Sequence, residues 1–72
     1  MNKATLQTYV RAVLSSSKAQ TAEEITYKIQ KQFPNEKNIT VNRVNIILSQ
    51  LYYHGLVIEK NCFTGIKYFS LM

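Results

Sequence analysis

One stretch of the chain gathers side chains able to read the hydrogen-bonding edge of another molecule. Asn42, Arg43, Asn45, Ser49 and Gln50 lie close together, with Ile46 among them. A carboxamide both donates and accepts, so Asn or Gln can pair bidentately with adenine, and a guanidinium can do the same with guanine O6 and N7. Ile46 offers an apolar contact to a thymine methyl. These groups act together only if they share a face. Helical spacing achieves this, because Val44, Ile47, Leu48 and Leu51 claim one stripe and leave the polar set on the other side. Such a face favours A·T-containing sites, with Arg43 as guanine reader or phosphate clamp. A merely solvated helix face has a similar composition, so the surroundings decide between the two.

Those surroundings are legible as three helices and a hairpin. For the helix over 41–54, Thr40 is the N-cap, Ile39 the staple before it, and Gly55 the residue able to take the left-handed conformation that ends it. Upstream, Leu6, Tyr9, Val10, Val13 and Leu14 predict a helix over 3–15, stopped by the serines at 15–17. Thr21 and Glu24 form a capping-box pattern opening a helix over 22–33, which buries Ala22, Ile25 and Ile29 and stops at Phe33 before Pro34. After Gly55 the apolar period becomes two. Residues 56–71 read as a hairpin around a loop at 61–65, and a lone hairpin is marginal unless it packs on the helices.

The chain of 72 residues reads as a single domain, α+β and mainly α. Nine Lys and Arg against four Asp and Glu give a net charge of +5, which suits an anionic partner without specifying a fold. The single cysteine, Cys62, forms no internal disulfide and reads as a surface thiol or small packing residue in a reducing compartment. No apolar run approaches the roughly 20 residues of a membrane span. A soluble, cytoplasmic protein without membrane association is the expectation.

The order of three helices, a glycine and a terminal hairpin resembles the winged helix-turn-helix domain. Val44, Leu48 and Leu51 stand eleven, seven and four positions before Gly55, and Leu56 and Val57 follow it. This spacing is similar to the recognition-helix-to-wing segment of MarR-type regulators. Thr21-Ala22-Glu23-Glu24-Ile25 resembles the start of the second helix in ferric-uptake regulators. The resemblance covers nearly the whole chain and implies a DNA-binding regulator whose third helix enters the major groove while the hairpin serves as a wing. Three departures stand out: a longer connection between the second and third helices, a short wing, and Ile46 where a polar or basic residue is usual.

Within that frame Lys60, Asn61 and Lys67 are wing residues placed for a phosphate or the minor groove, although lysines on an edge hairpin also serve solubility. Lys28 and Lys31 are candidate phosphate contacts, and Thr40 contributes through the positive end of its helix. Tyr52, Tyr53 and Phe63 read as a dimer or partner contact, since exposed aromatics more often meet protein than bases. His54 suits the negative end of its helix. The residues form no metal site, no cofactor loop and no catalytic constellation, so the expectation is a non-enzymatic protein without cofactors. The partners expected are double-stranded DNA and a second copy of the chain. The alternative is a winged-helix module that docks on another protein.

Overall fold

A computed structural model describes residues 3–15, 17–63 and 65–70, excluding the side chains of Lys3, Ala4, Asn61, Cys62, Lys67, Phe69 and Ser70. The first helix, α1, runs Lys3–Val13. It ends two residues before the sequence-based boundary because the Ser15 hydroxyl accepts the backbone N–H groups of Ser17 at 3.1 Å and Lys18 at 3.2 Å. That local bonding competes with another helical turn. The second helix, α2, spans Ala22–Gln32 behind the anticipated capping box. Thr21 Oγ1 accepts the Glu24 N–H at 3.1 Å, while the Glu24 carboxylate accepts the Thr21 N–H at 3.2 Å. Phe33 leaves helical geometry at φ −127°, as a residue before proline should.

The connection to α3, Val41–Tyr53, is long but well tied. Tyr9 stacks on Phe33 with ring centroids 3.9 Å apart and donates its hydroxyl to Glu36 at 3.2 Å. Gln30 Nε2 donates to the Ile39 carbonyl at 2.8 Å. Asn38 turns the chain at φ 67°, a left-handed conformation that Asn tolerates better than most residues. Gly55 takes φ 75° and completes a Schellman stop: its N–H bonds the Tyr52 carbonyl and the Leu56 N–H bonds that of Leu51.

Two residues separate the hairpin strands in sequence. Val57–Cys62 pairs antiparallel with Gly65–Ser70, so the strands run closer to the tip than the loop expected at 61–65. A further strand, Gln20–Thr21, was not anticipated from the sequence. In chain order the strands are β1 (Gln20–Thr21), β2 (Val57–Cys62) and β3 (Gly65–Ser70), arranged β1-β3-β2. Gln20 faces Tyr68 and Thr21 faces Lys67 across the ladder, which fastens the hairpin to the start of α2.

One apolar cluster joins these parts. Leu6 and Val10 of α1, Ala22, Ile25 and Ile29 of α2, and Val44, Ile47, Leu48 and Leu51 of α3 are buried together with Ile39, Val57 and Tyr68. Each large aliphatic side chain removed from water contributes roughly 1.5–3 kcal/mol. The two buried polar residues among those described are satisfied. Thr26 donates to the Ala22 carbonyl at 2.7 Å, and Gln20 donates to the Val13 carbonyl while accepting the Lys28 ammonium.

Candidate nucleic-acid interface

Burial of Val44, Ile47, Leu48 and Leu51 fixes how α3 is rotated. At 3.6 residues per turn, Asn42, Ile46, Ser49 and Tyr53 then form its outermost ridge. All four are exposed, as is Arg43. Asn45 and Gln50 lie on the flanks and are half-buried, so the six residues picked from the sequence share one side of α3 but are not equally presented. Their polar side chains make no hydrogen bond to another described residue. Thr40 differs, because its hydroxyl accepts the Arg43 N–H at 3.2 Å and is spent on the cap. The first N–H groups of the helix still carry the partial positive charge of its dipole.

Two depressions border this face. On the α1 side Arg43 and Ile46 line a groove of about 350 Å³ with Leu6 and Ile47. Toward the sheet, Asn45 lines a cleft of about 230 Å³ with Glu23, Gly65, Ile66 and Tyr68 among others. Gly65 and Ile66 of the hairpin therefore reach the same cleft as Asn45 of α3, with Glu23 of α2 also on its wall.

Lys28 and Lys31 lie elsewhere. Both are exposed and line a depression of about 500 Å³ on the outer side of α2 with Glu23, Glu24 and Tyr27, where no α3 residue contributes. The structure does not bring these two lysines to the α3 ridge, and Lys28 already donates to Gln20. Lys60 is exposed on β2 with Lys67 opposite it in register. The side chains of Asn61 and Lys67 lie outside the described residues. Tyr52, Tyr53 and Phe63 are 51%, 85% and 107% exposed, so all three are open to a partner. His54 caps α3 through its N–H and meets the Tyr53 ring edge-on at 5.6 Å. Tyr27 and Ile66 are exposed too and were not picked out. Tyr27 could have been, since it falls between the buried positions Ile25 and Ile29.

Charge is distributed unevenly over the elements. The four carboxylates lie in α2 (Glu23, Glu24), the following loop (Glu36) and β2 (Glu59), each with an equal number of lysines. Neither α1 nor α3 contains an acid. The excess positive charge thus comes from Lys3, Arg11, Lys18, Arg43 and Lys67. Among the described residues no group of three or more His, Cys, Asp or Glu is placed to hold a metal, and no helix is long and apolar enough to cross a membrane.

No protein-family model matches the chain, and no curated protein or solved structure matches it either.

Proposed function

We propose that the chain binds double-stranded DNA as a small winged-helix regulator of transcription, laying α3 in the major groove with the hairpin alongside. The observation that carries this reading is the outer face of α3. Asn42, Arg43 and Ser49 stand exposed with unused donors and acceptors, on a helix that has no carboxylate to repel phosphate. The cleft shared by Asn45, Gly65 and Ile66 supports it, because helix and hairpin offer adjoining surfaces to one elongated ligand. Base-edge contacts from Asn42 and Arg43 supply preference, and the surrounding cations supply salt-dependent affinity. One copy offers few phosphate contacts. A second copy on a palindromic site multiplies them, so the active form is a homodimer.

Selection from a random duplex pool tests this, with the mass of the bound species read by light scattering. An enriched motif containing A·T pairs, bound more weakly as salt rises, is the expected result. Equal, weak binding of random and selected duplexes at low salt overturns it.

A second reading has its own observation. Ile46 is 54% exposed at the lip of the groove it shares with Leu6 and Ile47, which suits an apolar side chain from a protein partner. Ile46→Lys separates the two readings: DNA binding survives the added cation, whereas hydrophobic docking does not.

A further inference from the structure

The outer side of α2 serves neither the core nor the α3 face. Glu23, Tyr27 and Lys31 follow one another at intervals of four, so they stand in one row along it. All three are exposed and, with Glu24 and Lys28, line the depression of about 500 Å³. The helix dipole accounts for acids in the first turn and a lysine in the last. It does not account for Tyr27 between them, 58% exposed, with no ring contact or hydrogen bond to another described residue. An aromatic ring ringed by charges is the make-up of an interface centre and its polar rim.

The row is complementary to itself. Tyr27 is the midpoint of α2, five residues from Ala22 and five from Gln32. Glu23 and Lys31 lie about 6 Å to either side of it along the axis. Turning a second α2 end for end about Tyr27 therefore puts each Glu23 level with the partner's Lys31, and ring against ring. The helix dipoles then oppose as well. A parallel pair would set Glu23 against Glu23 and Lys31 against Lys31.

We infer that this face of α2 is where a second copy of the chain docks, antiparallel and two-fold, with Tyr27 on Tyr27 and two reciprocal Glu23–Lys31 pairs at the rim. Glu24 and Lys28 keep their bonds within the chain, to Thr21 and Gln20, and edge the contact. A helix of eleven residues is only about 16 Å long, so the pair buries less than the roughly 1,200 Å² of a standard interface. Association is therefore weak alone and gains when two copies share one duplex. The inference rests on the homodimeric part of the reading above and places the self-contact at Tyr27, where the sequence suggested Tyr52, Tyr53 and Phe63.

The test contains no DNA, so its failure and the failure of duplex binding are separate results. Sedimentation equilibrium of the full chain up to about 1 mM should show a monomer–dimer equilibrium. Tyr27→Ala should weaken it by roughly tenfold or more with an unchanged circular dichroism spectrum, since alanine suits an exposed helical position. Glu23→Lys and Lys31→Glu each set like charges at both rim contacts, so either variant alone should stay monomeric. An equimolar mixture of the two should form a heterodimer. Both variants keep a net positive charge, so overall charge does not favour the mixture. The docking face is overturned if the wild type stays monomeric throughout, or if Tyr27→Ala dimerises like wild type. It is equally overturned if the mixture associates no better than its components, or if only Tyr52→Ala or Tyr53→Ala disrupts the dimer.

Discussion

Asn42 and Asn45 are chemically identical and three positions apart on α3, yet their settings differ. Asn42 stands on the exposed ridge, whereas Asn45 is half-buried against the sheet-side cleft. Asn42→Ala should therefore cost about 1–3 kcal/mol of discrimination at one base pair, measured by competition between matched and mismatched duplexes. Asn45→Ala should lose less preference. The sequence shows that both belong to the polar side of the helix, but not that β3 comes to lie beside only one of them. Tyr68 yields a prediction about pH. Burial, then the carboxylates of Glu59 and Glu23, raise its phenol above the usual 10.0. The folded chain thus holds this proton where the unfolded chain releases it, and stability falls as pH rises past about 10. Thermal melts of Tyr68→Phe should show a smaller alkaline loss than wild type. Tyr9, raised likewise by burial and Glu36, retains its own share in that variant.

At the scale of elements, most of the architecture is legible because it rests on local rules. The stripes of the three helices, the Thr21–Glu24 box, the Thr40 cap and the Gly55 stop all depend on residues within a few positions of one another. What escapes is non-local. Gln20–Thr21 has two polar residues, too few for any period, and becomes a strand only because Tyr68 and Lys67 arrive opposite it. The hairpin turn is likewise shorter than its sequence suggests, since Gly65 joins the ladder opposite Cys62. The stop at Gly55 is open to test. A Cβ there would meet nothing within 4 Å, so Gly55→Ala isolates the backbone strain of φ 75°. Urea unfolding should show a loss of about 1–2 kcal/mol without a change in slope.

For the whole molecule, the distribution of charge matters more than its total. The net +5 is apparent from composition, but only the folded arrangement shows the α2 lysines beside Glu23 and Glu24 while α1 and α3 have no acid. Arg43→Gln should lower the slope of log affinity against log salt by close to one contact's worth, about 0.9. Lys31→Gln should change it less, because its charge is locally offset. Titrations at several salt concentrations compare the two directly.

Thr21 ends one connection and begins another: it pairs with Lys67 in the sheet and caps the first turn of α2. The root of the hairpin and the start of that helix, nearly fifty residues apart in sequence, should therefore open as one cooperative unit. Hydrogen exchange can detect this. Thr21→Gly should speed exchange at the Glu24 amide and at Tyr68 together, leaving the α3 amides protected. A molecule built this way cannot swing its hairpin independently: loosening the hairpin also frays α2, so a well-ordered α2 N-terminus reports that the hairpin is seated.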